Sequence, residues 1–289
     1  MSNLLGTDKN ILVIYHGNCR DGFISAYVAW KKFGDTASYI PQIYGREHVP
    51  NNLIGKEVYI LDFTYSKDEM LNIENIAKKL VVIDHHHSAK EKVECLKNHI
   101  FSIDHSASYL VWQYFSPEQK VPRLIEYVSD YDIWANKLPH IKEVAAYLDR
   151  YDLNEMTFHR LDDMFSEFEN DKTFEIAVKT GNILKDVEEK QINYFKDKAQ
   201  KIFFEGMDVY AVNAPKEIRS DLGFKLANDI KTFAMIFYYE QDVYRCSLRS
   251  INGFDVSKIA EKYGGGGSRN QSSFVVPKNF ELVTSLNKL

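Results

Sequence analysis

The stretch KKLVVIDHHHSA, residues 78–89, runs four apolar residues, Leu80 to Ile83, straight into Asp84, His85, His86 and His87. A carboxylate and three imidazoles at the end of an apolar run are groups that move protons or bind cations. Two other apolar runs in the first third of the chain end alike: NILVIYH closes on His16 and EVYILDF on Asp62. Isolated carboxylates are costly to desolvate, so several on one edge need solvent or a cation to offset their repulsion. A divalent metal centre explains the pattern economically. Imidazole with carboxylate, and no thiolate, suits manganese, zinc or iron better than calcium or magnesium alone.

The segments between these runs say how they are positioned. DGFISAYVAWKKFGD places Ile24, Tyr27, Val28 and Phe33 near helical spacing, and KDEMLNIENIAKKL does the same with Leu71, Ile73, Ile76 and Leu80. The order strand, helix, strand, helix, strand implies a parallel sheet covered by helices. In open sheets of this kind ligands bind beyond the carboxyl ends of the strands, where all three endings converge. FSIDHSASYLVWQYF then sets Asp104, His105, Ser106 and Ser108 at the head of a helix-like run. Either Asp104 or Ser106 caps that helix, or its start faces the metal edge, binds an anion with its amides and makes His105 a substrate contact. His87 reads as an ordinary polar residue.

Beyond residue 150 the character changes. Leu184, Val187, Ile192, Phe195, Ala199 and Ile202 recur near a helical period with charges between them, so residues 171–204 read as one long amphipathic connector. Strand-like MDVYAVNA, TFAMIFYYEQDVYRCSLRS and SSFVVP follow, with EIRSDLGFKLAND and VSKIAEKY as helices. The fold class is α/β: an N-terminal parallel-sheet domain over 1–165, a helical connector over 166–204 and a smaller α/β domain with a mixed sheet over 205–289. Gly264 to Gly267 resemble a linker, but an apolar-periodic helix precedes them and an apolar strand follows. A loop whose bare backbone amides approach a phosphate fits that setting, with Arg249, Ser250 and Arg269 adding further donors.

Composition bounds the partners. With 289 residues, 45% hydrophobic and 13% aromatic, the chain buries a substantial core. No apolar run approaches the roughly 18 residues of a membrane span, and the start MSNLLGTDKN lacks a secretory pattern. A cytoplasmic protein without membrane contact is expected. The three cysteines, Cys19, Cys95 and Cys246, fit reduced thiols rather than a disulfide framework or a cysteine zinc site. A net charge of −5 argues against coating long duplex by charge alone.

These residues carry a family resemblance. Asp84, His85 and His86 form the triplet that gives the DHH phosphoesterases their name. YHGNCRDGFISAYVAWKKFGD resembles the first motif of the oligoribonuclease-like or exopolyphosphatase-like branch, YILDF the second and YVSDYDIW the fourth. SLRSINGFDVSKIAEKYGGGGSRNQSSFVV resembles the glycine-rich segment of the DHH-associated domain, and the motifs occur in family order. The resemblance implies two divalent cations, manganese first, on His16, Asp21, Asp62, His85 and a fourth-motif acid, with Asp62 bridging. Both Asp130 and Asp132 are available as that acid; Asp130 is favoured because it directly follows LIEYVS. His86 would touch the scissile phosphate and Asp84 would orient a ligand histidine.

Two positions depart from the family. HGNCRDG supplies one acid, Asp21, where many relatives carry two, and Arg20 stands where the other is expected. The first cation would then be held more weakly, or completed by Asn18, water or substrate. Ser268 stands where relatives usually have histidine. The implied activity is two-metal hydrolysis of a phosphodiester by an activated water, with His86, Asp84 and His105 assisting. Gly265, Gly266, Gly267, Ser268 and Arg269 would hold the rest of the substrate across a cleft closed by the second domain. Short single-stranded RNA or DNA leads the substrates, then linear or cyclic dinucleotides, and a homodimer is compatible with the sequence. The competing readings are a protein that sequesters nucleotides without cleaving them and a polyphosphate or pyrophosphate hydrolase.

Overall fold

Leu12, Ile14, Val58, Ile60, Leu80 and Val82 pack on one face of a parallel sheet, and Val13, Tyr15, Tyr59, Leu61, Val81 and Ile83 pack on the other. Successive strand residues point to opposite faces, so a strand covered on both sides needs an unbroken apolar run. The computed structural model describes residues 9–45, 47–240 and 242–280. The first eight residues, within the segment read as free of a secretory pattern, lie outside these. Two compact units divide at residues 184 and 185.

In the first unit the elements run β1 (Ile11–His16), α1 (Arg20–Phe33), β2 (Ala37–Gln42), β3 (Glu57–Leu61), α2 (Lys67–Ile76), β4 (Lys79–Asp84), α3 (Lys90–Glu94), β5 (His99–Phe101), α4 (Ala107–Phe115), α5 (Arg123–Asp132), α6 (Ile141–Asp149) and α7 (Phe158–Glu169). α8 (Asp171–Lys196) continues into the second unit. The five strands are all parallel, in the order β2-β1-β3-β4-β5. From β1 the chain moves outward to β2 and then returns to the other side of β1 as β3. The connections diverge there, which leaves a crevice at the carboxyl ends of β1 and β3. Local signals agree with this order. Ser66 and Glu69 form a capping box that starts α2, each satisfying a backbone amide of the other.

β2 and β5 are additions to the three strands expected. β2 contains Pro41, which removes a backbone donor and is tolerated because the strand lies at the sheet edge. The long helix also ends earlier than its periodicity suggests. It stops at Lys196, and Ile202 lies instead in β6 (Gln200–Phe204), the first strand of the second unit.

That unit continues with β7 (Met207–Asn213), α9 (Arg219–Ile230), β8 (Phe233–Glu240), β9 (Val243–Ser250), α10 (Ser257–Lys262), β10 (Gly266–Ser268) and β11 (Gln271–Pro277). Its six-stranded sheet has the order β10-β11-β9-β8-β7-β6 and is mixed: only β7 and β8 pair in parallel, joined through α9. Among the described residues no helix is long and apolar enough to cross a membrane.

Gly22, in the first turn of α1, shows how tightly helix and sheet meet. A Cβ there would sit 2.2 Å from the His16 carbonyl oxygen and 3.0 Å from an Asp62 carboxylate oxygen. Gly22→Ala is therefore expected to cost about 1–3 kcal/mol of stability through overpacking. The check is a lowered urea midpoint at unchanged slope, and an unchanged midpoint would mean that α1 is not pinned by this contact.

Candidate metal centre

Three strands deliver their last residues to one place. His16 ends β1 and Asp84 ends β4, while Asp62 follows β3 in the left-handed region at φ 58°, its amide donating to the Ile83 carbonyl at 2.9 Å. A left-handed aspartate costs local strain and turns the side chain out of the strand's register. Asp84 is fully buried. Its Oδ1 accepts from the His85 amide at 2.6 Å and the His86 amide at 2.9 Å, and lies 2.8 Å from His86 Nδ1. One carboxylate thus fixes the backbone of the triplet and one of its rings. The Asp84 contact pushes the His86 pKa up to about 9 despite burial, so Nδ1 carries the proton and donates.

Asp21 is held from the opposite side. Its Oδ2 accepts from the Ala107 amide at 2.8 Å, and its Oδ1 accepts from the Ser108 amide at 3.1 Å and the Ser106 hydroxyl at 2.5 Å. The N-terminus of α4 therefore spends its free amides on an internal carboxylate. Ser106 stands at the cap position but makes no side-chain cap; the start of α4 faces the cluster, where the anion its amides bind is Asp21 of α1. His105 stacks on Tyr109, with ring centroids 3.9 Å apart.

Around these anchors the ionisable groups crowd together. His85 Nε2 lies 3.2 Å from Asp132 Oδ2, 3.4 Å from Asp62 Oδ1 and 3.9 Å from Asp21 Oδ2. On the other oxygen of Asp62, Oδ2, His16 Nδ1 lies at 3.6 Å and the Cys19 thiol donates at 2.9 Å. Asp62 thus presents its two oxygens to two separate donor sets. Burial opposes its charge, but His16 and His85 outweigh it and hold the carboxyl well below the usual range. Asp21 goes the other way: burial, with Asp62 and Asp132 nearby, pushes it up to about 7. Burial raises Asp132 as well.

The residues fit divalent cations. His16 Nδ1, Asp62 Oδ1, Asp84 Oδ2 and His85 Nε2 are buried with no hydrogen-bond partner, an unusual concentration of unmet polar atoms. Three sets of potential ligand atoms, on His16, Cys19 and Asp62, on Asp62, His85 and His86, and on Asp21, His85 and Asp132, each lie within 4.8 Å of one another. Imidazole nitrogen and carboxylate oxygen are the donors that transition-metal cations take.

His16, Asp21, Asp62 and His85 are brought together as the resemblance implied, with Asp84 behind them and His86 at the edge. Asp130 is not among them. Its carboxylate accepts from the Lys137 and Leu138 amides, at 2.9 and 3.0 Å, and closes the loop after α5. Two helical steps turn a side chain by about 200°, so Asp132 faces His85 in its place. Asn18 is exposed in the turn between β1 and α1. Sequence reasoning missed Cys19, whose neighbour Arg20 turns outward to Asp149 at 2.7 Å.

The glycine-rich residues lie in the second unit. Gly266, Gly267 and Ser268 form β10 against β11, and a Cβ on Gly265 would meet the Ser273 carbonyl oxygen at 2.1 Å. Close strand approach thus accounts for glycine there. Arg249 is buried and donates to Ser220 and to the Leu248 carbonyl, Ser250 donates to the Phe254 carbonyl, and Arg269 donates to the Gly253 carbonyl.

The two aspartates of α5 should separate experimentally. Asp132→Asn is expected to weaken Mn2+ binding by at least about 10-fold by calorimetry. Asp130→Asn should leave binding nearly unchanged and instead cost roughly 1.5–3 kcal/mol of stability from its charged hydrogen bonds. The reverse pattern would return Asp130 to the cluster.

No family model matches the chain. It is 30% identical over 293 residues to the uncharacterized protein R106 of Acanthamoeba polyphaga mimivirus, spanning 94% of this chain and 68% of that protein. Among solved structures, a pGpG-specific phosphodiesterase, PggH, from Vibrio cholerae superposes with a TM-score of 0.51 at 15% identity, covering 97% of this chain and 99% of that one. An exopolyphosphatase-related protein from Bacteroides fragilis does so with a TM-score of 0.51 at 16% identity, covering 99% and 92%. At that identity the structural likeness speaks for the fold, and the Asp84-His85-His86 cluster at its strand ends supplies the family mark. The chain belongs to one family with the mimivirus protein, and it is similar along its full length to the DHH-family phosphoesterases in fold, with a DHH-like cluster of histidine and aspartate at its strand ends.

Proposed function

We propose that this protein is a phosphodiesterase that hydrolyses short oligonucleotides or dinucleotides with a pair of divalent cations, most readily Mn2+. The observation that carries the reading is the placement of Asp62, one oxygen toward His16 and the other toward His85. A single carboxylate shared between two donor sets suits a two-cation centre. His16 and Asp62 would hold one cation, and Asp21, Asp62, His85 and Asp132 the other. When bound, such a pair lowers the pKa of water and neutralises charge gathering on phosphoryl oxygens.

The chain's own groups have distinct parts in this scheme. Asp84 accepts from His86 Nδ1 at 2.8 Å and so fixes the orientation of that ring. His86 is the more open of the two triplet histidines, with 38% of its side chain exposed against 9% for His85, which suits it to meet a phosphate oxygen. Asp21, braced by three donors at the head of α4, keeps its place as the charge around it changes.

A dinucleotide substrate draws support from the fold shared with the pGpG-specific enzyme. The test is incubation of the full chain with Mn2+ and either pGpG or a short RNA, followed by chromatography for mononucleotides. Release of mononucleotides, abolished by chelator and restored by Mn2+, is expected; binding without product at any metal concentration would favour nucleotide sequestration. Asp62→Asn should abolish turnover while leaving the circular dichroism spectrum intact. His86→Ala should lower kcat by about 10²–10³-fold, the range for removing one charge-stabilising donor.

A further inference from the structure

We propose that Cys19 is a third protein ligand of the cation position built on His16 and Asp62, making that position a mixed imidazole, carboxylate and thiolate site that prefers Zn2+, Fe2+ or Co2+ to Mg2+. The inference rests on the metal centre of the proposed function and goes beyond it, because the ligands read from the motifs contain no sulfur.

The geometry supports this from several directions. Cys19 is the cap residue of α1, extended at φ −138° and ψ 159°, and its Sγ accepts from the Gly22 amide at 3.2 Å. Cysteine is not among the residues favoured at that position, where serine, threonine, aspartate and asparagine accept the amide better. Capping therefore does not explain why a thiol stands there. Its sulfur lies 2.9 Å from Asp62 Oδ2, and His16 Nδ1 lies 3.6 Å from the same oxygen. All three donors fall within 4.8 Å of one another.

The surroundings point to a ligand independently of the cysteine. Asp62 is 1% exposed, and His16 Nδ1, which lies on the same Asp62 oxygen as the sulfur, is a buried atom with no hydrogen-bond partner. Arg20, the one strong cation beside Cys19 in sequence, is committed to Asp149 and does not neutralise the cluster. On coordination the S–H proton would leave to solvent and a sulfur lone pair would bond the metal.

Sulfur in the ligand set changes which cation is held. Thiolate favours softer or borderline metals, whereas Mg2+ takes oxygen donors in near-octahedral order and retains water. The second position, with Asp21, Asp62, His85 and Asp132, has nitrogen and oxygen donors alone and remains suited to Mn2+. The centre is thus chemically asymmetric.

Cobalt spectroscopy on the full chain tests this without reading hydrolysis. The Co2+-loaded protein should show a near-ultraviolet sulfur-to-cobalt charge-transfer band. Cys95→Ser, which removes the exposed cysteine, should keep the band, and Cys19→Ser and Cys19→Asp should lose it. Zn2+ affinity should fall in both Cys19 variants by more than about 10-fold, the smallest loss typical of removing even an outer-shell partner. Cys19→Asp, which restores a strong cap, serves if Cys19→Ser folds poorly, and it should narrow the preference for Zn2+ over Mg2+. Two bound Co2+ with no such band, or a band that survives loss of Cys19, would overturn the thiolate assignment while leaving the metal centre intact. Failure to bind Co2+ at all would overturn both.

Discussion

Three carboxylates, Asp21, Asp62 and Asp132, share one imidazole, His85, in a setting where Asp21 and Asp62 are each 1% exposed. Asp21 and Asp132 bring ligand atoms within 4.8 Å of each other. At that spacing two unit charges repel by on the order of 3 kcal/mol even with an effective dielectric near 20. No stable fold assembles such a group by accident, and the surrounding structure counters the repulsion directly. Two amides and a hydroxyl hold Asp21, two histidines hold Asp62, and two amides fix Asp84 behind them. The remaining imbalance is visible in Asp21, whose carboxyl is pushed up to about 7. Positive charge would relieve it, and the cluster carries donors that could hold a cation.

The sheet order explains why this is affordable at one place only. β1 and β3 are neighbours whose following connections leave in opposite directions, which opens a crevice at their carboxyl ends. Both sheet faces are packed, and the charged residues emerge where packing stops. Gly22 lets α1 come within contact of the His16 carbonyl, which carries Asp21 to the β-sheet edge. The α4 N-terminus meets it there with its unpaired amides.

Much of this was legible in the chain. Apolar runs ending in His16, Asp62 and Asp84 identify the strands, and two helical periods between them imply parallel pairing. What escaped had local causes. β2 is an edge strand that contains Pro41, so its composition reads as connection. Ile202 falls on the helical period of α8 by coincidence, and only its pairing with Val209 reveals a strand. Asp130 and Asp132 are equivalent in composition; choosing between them requires the rotation of α5 about its own axis. Cys19 was hidden because three widely spaced cysteines look inert, and only the fold brings its sulfur to a carboxylate 43 positions away.

The account stands on Asp62 serving two cations at once. Anomalous-difference density from crystals of the full chain soaked in Mn2+ measures this directly. Two peaks about 3.5–4 Å apart, one beside each carboxylate oxygen of Asp62, are predicted. A single peak, or metal bound away from Asp62, would contradict it.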